Sequence, residues 1–426
     1  KDITINKGET AGVSGTTITT TEDSQIVTIN LTKTSSDFTI NLDKVEDYMP
    51  FEEGTLAYSI INNAKNGTIS GKSIYIPNLS SKGMVDNPTT SNDKILSTAI
   101  DDYGTTYYFR GNPIDNYVNY AGMCWRIVRI QGDGSIKLIL ASEKTCSTAN
   151  LTDSSGYATD ADGKIISAYY GYWAGSTIYN PKTKRYYNYE SNWYASTHGP
   201  YDGDTKLSLT IKGRLNEWLN RKIINEKDIA LLKNDVWCIG DQSNGYSYDN
   251  TGEVVVTIDQ EYDGSDGMSN LVYSADKSFR FTASNKKNYT KTPSYECEIT
   301  GENGEIDINN IGTITFDEVV YAGGGAMANS NYYLNNNSKT KDWWTISPSI
   351  LLYSTSTCTN SGINFGKPYD CGSCYAYSFI VQKDGDSSYA NRVGRGTLYI
   401  RPVVTLLANT QISSGNGTIE SPYSIN

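Results

Sequence analysis

The reactive groups of this chain are few: seven cysteines, one histidine, and carboxylates gathered in short Asp-Gly turns, set among an unusual density of aromatic hydroxyls. The cysteines are Cys124, Cys146, Cys238, Cys297, Cys358, Cys371 and Cys374, all in loop-rich parts. In an exported protein this number reads as a few local staples plus one odd thiol. The expected pairs are Cys124 with Cys146, Cys238 with Cys297, and Cys358 with either Cys371 or Cys374. Cys371-Gly-Ser-Cys374 could supply half of a zinc site, but tetrahedral zinc needs two more ligands, and only His198 and scattered cysteines are on offer. We therefore expect no metal.

His198 is the sole imidazole, and hence the only possible His base for a Ser or Cys nucleophile. It lies in Ser196-Thr-His-Gly-Pro200, without a nucleophile motif such as Gly-x-Ser-x-Gly, so we expect no catalytic residues and no enzyme. Asp160-Ala-Asp162-Gly163, Asp202-Gly-Asp204, Asp263-Gly-Ser-Asp266-Gly267 and Asp384-Gly-Asp386 each offer hard oxygens. A calcium ion wants about six to eight of them, and none of these runs has the twelve-residue spacing ending in Glu. Hairpin turns explain them as well, so the expectation is no cofactor, with a structural Ca²⁺ as the open alternative. Tyr169, Tyr170, Tyr172, Trp173, Tyr187, Trp193 and Tyr194 form the candidate ligand-binding set. Their flat faces suit the C–H faces of sugar rings, and packing within the chain or between subunits is the competing use of the same residues.

Composition limits the classes of function. Thirty-four Tyr stand against eight Phe, with abundant Gly, Ser, Thr and Asn, and this mix favours half-exposed strands and tight turns. The net charge of −11, from 36 basic and 47 acidic residues, argues against nucleic acid as a partner. No run of about 18 apolar residues is present, so no membrane span is expected. No signal peptide is read at the start, and Lys1 in place of Met fits a processed mature protein or a trimmed chain.

The elements that must position these groups read as β-rich. At roughly 150 residues per domain the chain suggests two or three units. Residues 1–48 are polar and strand-patterned (Ile3–Ile5, Thr16–Thr21, Ile26–Leu31, Phe38–Leu42) and hold too little apolar surface for a core of their own. They read as an arm for strand addition to a neighbouring copy, or as a small domain or internal hairpin. Residues 49–104 connect, with a helix suggested by Leu56, Ile60 and Ile61 and a strand at Ser73–Ile76. Residues 105–426 form the main domain, interrupted by insertions at about 146–206 and 240–310.

Within that domain Met123–Ile130 and Ser135–Leu140, joined by Gln131-Gly-Asp-Gly134, predict a hairpin. Ile211, Leu215, Trp218 and Leu219 predict an amphipathic helix. Residues 226–236 predict a second, shorter helix, with Ile229, Leu232 and Val236 on one face and Asn225 as its cap. In the second insertion Val254–Ile258 and Phe279–Thr282 are strand-like. Ile311–Gly324 predicts a strand entering a helix of one or two turns that glycine stops. Three β-prone runs, Trp343–Pro348, Ala376–Val381 and Tyr399–Leu406, predict neighbours in one antiparallel sheet, with Trp343 and Trp344 pointing to opposite faces. A final turn and strand close the chain at Gly415–Tyr423.

Several of these stretches taken together resemble exported surface proteins of Gram-positive bacteria: Tyr107-Tyr-Phe-Arg-Gly-Asn112, Asn116-Tyr-Val-Asn-Tyr-Ala-Gly122, Trp125-Arg-Ile-Val-Arg-Ile130, Thr315-Phe-Asp-Glu-Val-Val-Tyr-Ala-Gly323, Trp344-Thr-Ile-Ser-Pro-Ser349 and Arg401-Pro-Val-Val-Thr-Leu406. The resemblance runs from about Ile95 to the C-terminus. The order of pieces is also similar to the C-type-lectin-like fold shared with formylglycine-generating enzymes. That resemblance implies an α+β, β-rich fold with long insertions, in which the last strand returns beside the first and sets Val403–Leu406 along Trp125–Ile130. The sugar-binding Glu-Pro-Asn or Gln-Pro-Asp and Trp-Asn-Asp runs of C-type lectins do not occur, and the oxidase cysteines of formylglycine-generating enzymes sit in a different motif. The expectation is thus a secreted, extracellular cell-surface protein, structural or adhesive. It would belong to an appendage or filament assembled from copies of itself by strand addition, or alternatively bind host or cell-wall glycans or proteins as a monomeric adhesin.

Overall fold

The computed structural model describes residues 50–65, 94–168, 211–238, 306–324, 331–353, 375–385 and 398–425, with shorter pieces at 17–19, 28–30, 177–180, 185–188, 246–248, 254–256, 260–261, 270–274, 293, 295–296, 329 and 390–392. Two compact units emerge, Lys1–Pro50 and Phe51–Asn426. In the first, β1 (Thr17–Thr19) and β2 (Thr28–Asn30) pair antiparallel, Thr17 facing Asn30, so part of the arm satisfies its backbone within its own chain. The strands expected at Ile3–Ile5, Phe38–Leu42, Ser73–Ile76 and Phe279–Thr282 lie outside the described residues.

The second unit is mixed α+β and rich in sheet. Its centre is the expected hairpin, β6 (Met123–Ile130) and β7 (Ile136–Ser142), every residue of which is buried. Gly134 takes φ +85° in the turn, its N–H bonds Gln131 O at 2.9 Å, and Asp133 Oδ1 accepts from Ser135 N. One flank of β6 carries β5 (Tyr117–Tyr120) and, at Tyr107 and Tyr108, the hairpin of β3 (Lys94–Asp101) and β4 (Gly104–Gly111). β24 (Tyr423–Ile425) lies parallel to β5 and pairs in turn with β23 (Ile412–Ser414). On the far side of β7 runs β22 (Val403–Leu406), then β17 (Ile311–Gly312).

The resemblance set Val403–Leu406 directly along Trp125–Ile130; here β7 lies between them, with Val403 facing Ile139 and Leu406 facing Ile136. The reason is local. A tight turn delivers β7, as apolar as β6, to one edge of β6 while β4 and β5 occupy the other, so β22 takes the next open edge.

A second sheet follows the order β14 (Gln260–Glu261), β15 (Asn270–Ser274), β18 (Trp343–Tyr353), β19 (Tyr375–Val381) and β20 (Ala390–Arg392), with β21 (Leu398–Tyr399) beside β18 and β8 (Ser167–Ala168) beside β21. β18 and β19 are antiparallel neighbours as expected, Trp343 facing Val381. The third run departs from the expectation and divides: Tyr399 pairs parallel with Trp343, whereas Val403–Leu406 belongs to the first sheet.

Between them stand Arg401 and Pro402. Proline has no N–H for a ladder, and its carbonyl instead accepts from Leu140 N at 2.9 Å. The fully buried Arg401 donates to the carbonyls of Leu334, Gly156 and Leu140 and to Ser338 Oγ, and its guanidinium lies 5.0 Å from the centre of the Trp343 ring. Burial pulls its pKa down to about 10, which leaves it charged at neutral pH. Both Trp343 and Trp344 are fully buried, Trp344 donating its indole N–H to Ala168 O at 2.9 Å, because both faces of this strand are covered.

Smaller pairs are β9 (Thr177–Asn180) with β10 (Arg185–Asn188), β11 (Asp235–Cys238) with β16 (Ile306–Asn309), and β12 (Tyr246–Tyr248) with β13 (Val254–Val256). Four helices complete the described residues. α1 (Leu56–Lys65) buries Leu56, Ile60 and Ile61. α2 (Ile211–Lys222) buries Ile211, Leu215, Trp218 and Leu219, the stripe read from the sequence. The Trp218 indole N–H and Lys222 Nζ both reach the Glu143 carboxylate, at 2.7 and 2.6 Å, and fasten α2 to the end of β7.

The helix expected over residues 226–236 is only one turn, α3 (Glu226–Ile229), although Asn225 caps it as expected. Its continuation is captured by β22: Lys233 N bonds Thr405 O, Leu407 N bonds Leu231 O, and Val236 lies in β11. Backbone pairing with a neighbouring strand overrides the helical periodicity, and Ile229 is left 45 % exposed. α4 (Phe316–Ala322) has the expected form, with a capping box between Thr315 and Glu318 and a left-handed Gly323 at its end. The Cys124–Cys146 disulfide is formed and ties β6 to the mouth of the first insertion.

Candidate functional site

Two strands carry cations where their pattern calls for apolar residues, and the site is built on them. Arg129 in β6 and Lys137 in β7 are 6 % and 3 % exposed. A buried cation is tolerable only if paired and hydrogen-bonded. Glu318 pairs both: its Oε1 lies 2.8 Å from Lys137 Nζ and 3.3 Å from Arg129 Nε, while Oε2 accepts the Thr315 N–H of the capping box at 3.0 Å. Arg129 Nη1 then reaches Asp101 Oδ2 at 2.6 Å and Thr106 Oγ1 at 3.2 Å. Asp101, at the tip of the β3–β4 hairpin, also accepts the backbone N–H groups of Tyr103 and Gly132.

A second set of polar groups adjoins this one. Asp235 of β11 accepts from Gln131 Nε2 at 2.7 Å and Thr405 Oγ1 at 2.6 Å and pairs with Lys233 at 3.0 Å. Lys233 also reaches Asp133 at 2.7 Å.

The electrostatics follow from this pairing. Burial alone would raise the Glu318 carboxyl, but Lys137 and Arg129 outweigh it and hold its pKa below the ordinary carboxylate range. Burial likewise opposes ionisation of Asp235, and Lys137, Lys233 and the Thr405 hydroxyl overcome it. For Arg129, burial favours loss of the proton, and Glu318 and Asp101 reverse that. The result is a locked network of opposite charges. A general acid needs a carboxyl raised towards neutrality, and Glu318 is moved the other way.

A cleft open to solvent lies over the network. Asp101, Arg129, Gln131, Lys137, Asp317 and Glu318 lie at its base, with Val236 and Thr315 on the wall and Asp102, Tyr103 and Glu296 at the rim. Tyr103 is 44 % exposed, and Lys233 Nζ lies 4.6 Å from the centre of its ring. Tyr295 closes one side: buried, it stacks on Tyr321 at 4.1 Å, sits 4.6 Å from the Arg129 guanidinium and bridges the backbone of Asp101. Burial pushes its hydroxyl pKa well above the usual value for tyrosine.

Of the residues singled out from sequence, the structure brings Cys124 and Cys146 together. Cys238 lies in β11 opposite Ile306, and Tyr187 lies in β10 opposite Ile178. Tyr169, Tyr170, Tyr172, Trp173, Trp193, Tyr194, His198, Cys297, Cys358, Cys371 and Cys374 lie outside the described residues, as do the Asp202–Asp204 and Asp263–Gly267 runs. Asp160 Oδ1 accepts from the N–H groups of Asp162 and Lys164, with Gly163 at φ +77°, so this carboxylate closes its own turn. Asp384 lies in a turn closed by the Gly385 N–H on Gln382 O. Among the described residues no three His, Cys, Asp or Glu side chains gather as a metal set would.

The sequence reading passed over Asp101, Arg129, Lys137, Asp235 and Glu318. The signal was there: Trp-Arg-Ile-Val-Arg-Ile and Ile-Lys-Leu-Ile-Leu each place a cation inside a strand too apolar to face water. Comparison with protein-family models, with curated proteins and with solved structures finds no match for the chain.

Proposed function

We propose that the chain is an exported cell-surface protein with a structural or adhesive task and no catalysis of its own. Its body would be a C-type-lectin-like domain, and its N-terminal arm would add strands to a neighbouring copy. The observation that carries the reading is the Cys124–Cys146 disulfide, since such bonds persist in oxidising, extracytoplasmic compartments. Two further features support it. The final strand of the chain returns beside an early strand of the domain, Tyr423 facing Val118. The most conspicuous carboxylates are neutralised in ion pairs rather than poised for proton transfer.

The decisive experiment compares the intact protein with one lacking residues 1–48 by negative-stain microscopy and size-exclusion mass. Ordered assemblies that vanish on deletion are expected. A strictly monomeric intact protein, or assemblies indifferent to the deletion, would overturn the strand-addition reading. Thiol labelling of the protein on unbroken cells tests the compartment: Cys124 and Cys146 should react only after reductant is added.

A further inference from the structure

We infer that Arg126, Arg401 and Tyr333 enclose a binding site for a small inorganic anion of halide size, buried inside the body. The site is separate from the cleft over Glu318 and owes nothing to the arm.

Arg126 of β6 is 1 % exposed, and Arg401, at the crossing between β21 and β22, is fully buried. Arg129 and Lys137 show what this fold does with buried cations, since each lies against a carboxylate. Arg126 and Arg401 have no carboxylate within ion-pair distance among the described residues. They lean on neutral oxygens instead. Arg126 donates to Asn116 Oδ1, the Tyr117 hydroxyl and Pro113 O, and Arg401 to three carbonyls and Ser338 Oγ. Burial is the main cause of the lowered Arg401 pKa, and the charge of Arg126 adds to it, so the two guanidinia stand within reach of one another's field. Two positive charges taken out of water without a counter-charge call for one.

The donors left over point the same way. A guanidinium has five N–H groups, and these bonds use three on Arg126 and four on Arg401. Tyr333, 1 % exposed, has its ring centre 5.2 Å from the Arg126 guanidinium, and the charges of both arginines bear on its hydroxyl. That hydroxyl has no hydrogen-bond partner, and neither has the indole N–H of Trp343, whose ring packs on Arg401. Burial raises the Tyr333 pKa far above the usual tyrosine value, so its own oxygen is not the missing negative charge. An anion accepts from O–H and charged N–H groups together, in the stronger class of hydrogen bond. A monatomic one needs only donors around it and no matching shape. Asn335 and Asn337 also hold unpartnered amide oxygens, which a water accompanying the anion would satisfy.

The full chain, with its disulfide intact, is refolded from urea in sodium gluconate, chloride or bromide at one ionic strength. The thermal midpoint should be higher in either halide than in gluconate and should rise with halide concentration, as for a ligand that binds the folded state alone. Tyr333→Phe deletes the unpartnered hydroxyl and keeps the ring, and it should need about tenfold more halide for the same rise. Crystals of the bromide-refolded chain should give one buried anomalous peak in contact with Tyr333 Oη and both guanidinia. Equal midpoints in the three salts would overturn the inference, as would a Tyr333→Phe protein that responds to halide like the parent. Bromide peaks confined to the surface overturn it too, since they mark an adventitious ion only. Should Tyr333→Phe not fold, the bromide position in the parent decides the matter by itself.

Discussion

Changing Glu318 to Gln removes the charge that Arg129 and Lys137 share, leaves Arg129 paired with Asp101 and takes from Lys137 the carboxylate it is bonded to. Breaking a buried pair from one side costs about 3–5 kcal/mol, and urea unfolding of Glu318→Gln should show a loss of that order. The same carboxylates set the acid limit of the fold. Glu318 and Asp235 ordinarily titrate near 4.5 and 3.8, and both are held lower in the folded chain. A depressed folded pKa gives stability that is complete above the ordinary value and is lost as pH falls through the folded one. The unfolding midpoint should therefore be level at neutral pH and begin to fall below about pH 4.5, with a shallower fall in Glu318→Gln. The sequence announced the cations, because Arg129 and Lys137 interrupt apolar strands. It did not announce their partner, since Glu318 lies 189 residues from Arg129 and its Thr315-x-x-Glu318 setting accounts for it as a cap alone.

Elements with strong local rules were legible, and those decided by neighbours were not. α2 buries the four residues its periodicity selects, and α4 starts and stops at the residues its cap and glycine dictate. α3 fails after one turn because Leu231 and Lys233 find backbone partners around β22, which no local pattern reveals. Gly312 in β17 is another such case: a Cβ there would run into the Trp237 ring, itself close to Lys137. Gly312→Ala should cost about 1–3 kcal/mol by overpacking, read as a lower thermal midpoint. The disulfide makes an element-level claim as well. It closes a separation of 22 residues, so Cys146→Ser should lose about 3 kcal/mol on the chain-entropy account, and reductant should lower the parent's midpoint by more than the variant's.

The two compact units predict that residues 51–426, produced without the arm, fold alone with the unfolding midpoint of the full chain. A fragment that aggregates or melts earlier would show that the arm completes the body's core. The β-rich, mixed α+β character was legible from composition and the central hairpin from its turn. The division into two sheets was not, because one short run from Leu398 to Leu406 serves both and the crossing at Arg401-Pro402 leaves no mark in hydrophobic pattern.

The body's two ends bear on how it would carry a load. Gly54 accepts the Ile412 N–H, and Ile412 pairs in turn with Ile425, so the entering and leaving chains flank a single strand at about 10 Å from one another. Tension applied through those ends would load the β23 pairing first and, through β24, its other neighbour β5.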